Sequence, residues 1–154
     1  MSTAERHTII PAIFVIFKKG NQVLVLRRHN TGYADGKLTL VSGHVEQGES
    51  FSKAALREAK EEAGVVIDPV DLKPVHIMHR LTPTGQERID TYFLVEKWSG
   101  QIVNGEPHKA SEIVWVPLQA LPPDLLVQVR QAVELSFQGV FYSERWDNLV
   151  SGWE

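Results

Sequence analysis

The chain has 154 residues, 43% apolar and 23% charged, with a formal net charge of −3 and no cysteine. That length suits a single domain over residues 1–154, and the missing cysteines exclude disulfides, thiolate zinc sites and a cysteine nucleophile. A negative chain is the wrong sign for gripping long nucleic acid through its phosphates. No run approaches the roughly 20 apolar residues that span a bilayer, and the opening MSTAERHTII lacks a basic segment leading into an apolar one. A cytoplasmic protein is therefore expected, and the charge does not exclude a small anionic substrate where a local divalent cation reverses the field.

In chain order, TIIPAIFVIFKKGNQVLVLRRH reads as a hairpin turning at KKGNQ, its first strand almost continuously apolar and its second alternating. NTGYADGK is a loop, and KLTLVSG reads as one short strand. Residues 52–63 carry the clearest helical period, with Ala55, Leu56, Ala59 and Ala63 on one side. Ser50 or Ser52 suits the N-cap, and Gly64 suits a left-handed C-terminal cap. So small an apolar face predicts close approach to a sheet. LKPVHIMHRLT and RIDTYFLVEKW follow as strands around PTGQE, and EIVWVPL as another short strand. PPDLLVQVRQAVELSF reads as an amphipathic helix opened by proline, with Leu125, Val129, Ala132, Val133 and Ser136 in one stripe. The aromatic tail FYSERWDNLVSGWE has no period, and its Trp146 and Trp153 are expected to cover core or a dimer interface. This order of strands and helices predicts an α+β fold or a helix–sheet–helix sandwich.

Glu58, Glu61 and Glu62 fall together beside the alanine face. Like charges at this spacing repel by a few tenths of a kcal/mol. A solvated acidic face is the bland reading; an oxygen-ligand site for Mg²⁺ or Mn²⁺ is the sharper one, since a cation turns repulsion into shared ligation.

Gly43, five residues, Glu49, seven residues, then Arg57-Glu58-Ala59-Lys60-Glu61-Glu62-Ala63-Gly64-Val65 resembles the Nudix box of the Nudix hydrolases, the MutT-like nucleotide pyrophosphohydrolases. Every fixed position is matched, with Ala59 as a small version of the usual aliphatic residue. The resemblance implies an α/β/α sandwich with a central mixed sheet and a loop–helix–loop that binds Mg²⁺ or Mn²⁺. It implies hydrolysis of a nucleoside diphosphate linked to another group. Nucleoside triphosphates, including damaged ones, lead as substrates, ahead of nucleotide sugars or ADP-ribose; a silent nucleotide-binding regulatory module is a third reading. By the same resemblance Glu58, Glu61 and Glu62 ligate metal, the Gly43 carbonyl joins them, and Arg57 pairs with Glu49 to orient the neighbouring carboxylates. Glu112 stands where relatives carry an additional acidic ligand.

Outside the box, the general base is open between Glu58, Glu112 and Glu106, the last in a loop within reach of the metals. Arg27 and Arg28 are candidates for a phosphate contact; Tyr33, Phe14, Tyr92 and Trp98 are candidates for base stacking, although aromatics in strands more often belong to the core. His44, His79 and His108 are expected to be structural or solvated. Exposed aromatics are compatible with a homodimer. Relatives usually read Leu-Pro-Gly-Gly where this chain reads LVSG, so the segment carrying Gly43 is expected to be shaped differently.

Overall fold

In the computed structural model, which describes residues 4–146, the fold is organised around the apolar first strand, β1 (Ile10–Lys19). Its side chains alternate between two buried clusters, Ile13, Val15 and Phe17 on one side and Ala12, Phe14 and Ile16 on the other. A strand covered on both faces has no polar side to show, which is why IFVIF lacks alternation. The turn predicted at KKGNQ joins β1 to β2 (Gln22–Arg28).

KLTLVSG forms two strands rather than one. β3 (Leu38–Thr39) pairs with β2, whereas β4 (Val41–His44) pairs antiparallel with β1. The break at Leu40 marks the change of partner. β5 (Lys73–Leu81) and β6 (Glu87–Val95) form the second hairpin, and β6 runs parallel to β1 from Ile10↔Arg88 to Phe17↔Val95. β7 (Ala110–Pro117) lies antiparallel to β2. The sheet is mixed, as expected.

The helix α1 (Phe51–Ala63) matches the sequence reading closely. Ser50 caps it through a 3.2 Å bond from the Lys53 N–H, and Gly64 ends it at φ 70°. Ala54, Ala55, Ala59 and Ala63 are fully buried against the first cluster. α2 (Val127–Phe137) covers the opposite face with Val129, Ala132 and Val133. It begins later than Pro122 suggests, because residues 124–126 are captured by β3. The Leu38 N–H donates to Asp124 O, the Leu126 N–H donates to Leu38 O, and Leu125 is buried beside Leu38 without being helical.

The described part of the tail joins the sheet. β8 (Tyr142–Arg145) adds in parallel to β5, held by buried His76, whose ring nitrogens bond Val140 O and Ser143 Oγ. Trp146 packs edge-on to His79; Trp153 lies outside the described residues. Among the described residues no helix is long and apolar enough to cross a membrane.

Candidate active site

β4, the loop after it and α1 meet around Arg57. Its guanidinium grips Glu49 with two bonds, Nε to Oε2 at 2.8 Å and Nη2 to Oε1 at 2.9 Å. Nη2 also donates to His44 O, and Nη1 donates to Glu58 Oε1 at 2.7 Å. One cation thus ties strand, loop and helix together. The pairing raises the Arg57 pKa and holds the Glu49 carboxyl down at about 2.

Glu58 is 8% exposed and lies against Gly43, where an added Cβ would stand 2.0 Å from Glu58 Oε1. The glycine is therefore required for clearance rather than for an unusual φ. The Ser42 N–H donates to Glu62 Oε2 at 3.1 Å. Val41 and Ser42 sit in the regular β1–β4 ladder, opposite Val15 and Phe14, so the LVSG variant is carried as strand. Burial first, and Glu58 second, push the Glu62 carboxyl up to about 8; burial also raises Glu58, opposed by Arg57.

A third carboxylate comes from the segment before β7. Gly105 packs so tightly on the end of α1 that a Cβ there would lie 2.1 Å from Glu61 O, and its N–H donates to Glu62 O. That docking delivers Glu106. Oxygens of Glu58, Glu62 and Glu106 all lie within 4.8 Å of one another. Three carboxylates so close, two of them with raised pKa, form a hard-oxygen donor set of the kind Mg²⁺ and Mn²⁺ prefer.

The cluster opens into a cavity of about 710 Å³, whose wall includes Gly43, Glu62 and Glu106. A NUDIX domain signature matches residues 7–135. The chain belongs to the Nudix family. An ADP-ribose pyrophosphatase from Methanocaldococcus jannaschii is 32% identical over 104 residues, 66% of this chain and 60% of that protein. An 8-oxo-dGTP diphosphatase from Escherichia coli is 27% identical over 118 residues, covering 73% and 86%. The NAD-capped RNA hydrolase NudC of Photobacterium profundum is 28% identical over 123 residues, 79% of this chain but 42% of the larger protein. The chain thus spans less than two thirds of two of these relatives. In fold it is similar to a MutT NUDIX hydrolase from Burkholderia pseudomallei, with TM-score 0.76, 21% identity and coverage of 83% and 98%.

Within this Nudix domain the predicted residues separate. Glu61 is exposed and reaches Arg57 at 3.4 Å, outside the three-carboxylate group. Glu112, expected as a ligand, instead accepts from Arg27 Nε at 2.7 Å across the β2–β7 ladder. Arg27 is further engaged by Asp124 and Gly36 O, and it does not line the cavity. Arg28 and Tyr33 do line it, the guanidinium over the ring at 5.5 Å and bonded to Tyr33 O. Phe14 also reaches the cavity, backed by buried Tyr92 stacked at 4.6 Å. Trp98 packs on the other side of the sheet with Phe17 and Trp115. His44 lines the cavity, and His79 bonds Glu87.

Sequence reading missed Arg80, Arg88 and Asp90. Both arginines line the cavity, and Asp90 is fully buried between them. A signal was present: aspartate inside a strand, here followed by the apolar run Tyr92–Val95, is disfavoured unless it has a partner.

Proposed function

We propose that this protein is a divalent-metal-dependent pyrophosphohydrolase. It cleaves the diphosphate linkage of a nucleoside diphosphate joined to another group, with nucleoside triphosphates, standard or damaged, as the leading substrates and the monophosphate as product. The observation that carries this reading is the approach of Glu58, Glu62 and Glu106 to within 4.8 Å at the edge of the cavity. These three carboxylates would hold Mg²⁺ or Mn²⁺; the family resemblance adds Glu61 and the Gly43 carbonyl as further ligands. When bound, such a cation neutralises phosphate charge and lowers the pKa of the attacking water. Arg57 fixes Glu58 from one side while the Gly43 gap admits it from the other. Glu58 and Glu106 are the candidate general bases. Glu112, held by Arg27, is better suited to bracing the β2–β7 ladder.

An ADP-ribose or nucleotide-sugar substrate is the second reading, favoured by the 32% identical relative named as an ADP-ribose pyrophosphatase. Phosphate and pyrophosphate release from a nucleotide panel with Mg²⁺ or Mn²⁺ tests both, comparing wild type with Glu58→Gln and Glu62→Gln. Loss of turnover in both variants is expected. Equal activity in all three proteins would end the assignment, and metal-dependent binding without turnover would favour a regulatory module.

A further inference from the structure

The wall formed by the β5–β6 hairpin carries a device that phosphate hydrolysis itself does not require. Arg80, 7% exposed, donates from Nε to Asp90 Oδ2 at 2.5 Å, and Arg88 Nε stands 3.6 Å from Asp90 Oδ1. Arg80 and Arg88 are directly opposite across the hairpin, so one carboxylate hydrogen-bonds the first guanidinium and forms an ion pair with the second beside it. Asp90 is itself 0% exposed, and its Oδ1 is sealed from solvent. The cavity therefore meets the donors and not the acceptor. Among the described residues no hydrogen bond engages the Nη atoms of either arginine. Phe14, Ala12, Leu40 and Leu126 supply apolar surface in the same cavity.

Cations alone would suit any anion, but apolar walls beside them suit a flat ring whose edge carries acceptors. We propose that Arg80 and Arg88, braced by Asp90, form a base-reading subsite selecting nucleobases with two adjacent acceptors and no intervening donor. Guanine meets this condition through O6 and N7, the pair a guanidinium binds most often, and cytosine meets it through O2 and N3. Adenine sets its amino group beside N7, and in thymine N3–H separates the carbonyls. Guanine oxidised at C8 carries a proton on N7, so it loses the pair. The inference rests on the proposed hydrolase reading and names its substrate class.

The test is kcat/KM for dGTP, dCTP, dATP, dTTP and 8-oxo-dGTP with Mn²⁺, for wild type, Arg88→Gln and Arg88→Lys. Wild type is expected to favour dGTP and dCTP by about tenfold or more, with 8-oxo-dGTP falling to the dATP level. Arg88→Gln removes that preference, and Arg88→Lys, which keeps charge but loses the fork, retains only part of it. An unchanged Mn²⁺-induced rise in Tm shows that the variants are folded with the acidic end intact. Absence of preference, preference for 8-oxo-dGTP, or an equal loss on all five substrates in Arg88→Gln would overturn the proposal. Should no nucleotide be turned over, the hydrolase reading fails separately, and calorimetry with GMP, CMP and AMP still decides the subsite. Tighter binding of GMP and CMP, lost in Arg88→Gln, supports it; equal affinities overturn it.

Discussion

Gly43 and Glu58 occupy what would otherwise be a single space: the carboxylate fills the volume that any side chain on residue 43 would need. Gly43→Ala must therefore expel Glu58 from its bond to Arg57. Turnover is expected to fall about tenfold or more, equivalent to about 1.4 kcal/mol in the barrier, while far-UV circular dichroism stays unchanged. Full activity in Gly43→Ala would show that the position of Glu58 is unimportant.

Gly105 presents a harder constraint, because the atom facing it is the Glu61 carbonyl oxygen of the backbone. Gly105→Ala has no flexible neighbour to displace. The loop must lift from α1, with a stability cost of about 1–3 kcal/mol and withdrawal of Glu106. Thermal unfolding and Mn²⁺ titration of the same variant would reveal both effects; a native Tm would contradict the packing described.

The choice between Glu106 and Glu112 can be read without activity. A cation that binds only the folded protein stabilises it, by about 2.7 kcal/mol at a hundredfold excess over its dissociation constant. The Mn²⁺-induced rise in Tm is expected to shrink in Glu106→Gln and to persist in Glu112→Gln. The opposite pattern would make Glu112 a ligand in place of Glu106.

Glu49 makes a pH prediction. Its folded-state pKa is about 2, below the ordinary 4.5, chiefly through the two bonds from Arg57. A depressed carboxyl contributes stability that is present above pH 4.5 and lost as pH falls from there towards 2. Glu49→Gln should flatten that part of the acid limb in a plot of Tm against pH. An unchanged slope would mean that the pair contributes nothing net.

Much of this was legible from residue order. The alanine stripe, Gly64 and the choice between Ser50 and Ser52 placed α1 to within a residue at its start, because caps and period are local. Glu58 and Glu62 could be grouped because i and i+4 share a helical face. Spacing could not give depth, so it did not separate buried Glu58 from exposed Glu61. Glu106 reaches the cluster only through the docking of Gly105 on α1, a long-range contact that leaves no period in sequence. The late start of α2 has a similar origin, since bonds to Leu38 outweigh the signal at Pro122. Arg80 and Arg88 escaped notice because charged strand residues usually face water; the strand aspartate hints at a buried partner, and the hairpin register shows which residues flank it.

The central strand has a last consequence. Because β1 sends alternate side chains into the layers beneath α1 and α2, neither layer can open while the other stays intact. Amides of residues 13–17 should accordingly exchange with deuterium only at the rate of global unfolding, and the cavity beside Glu62 and Glu106 should melt in the same step as the rest of the protein.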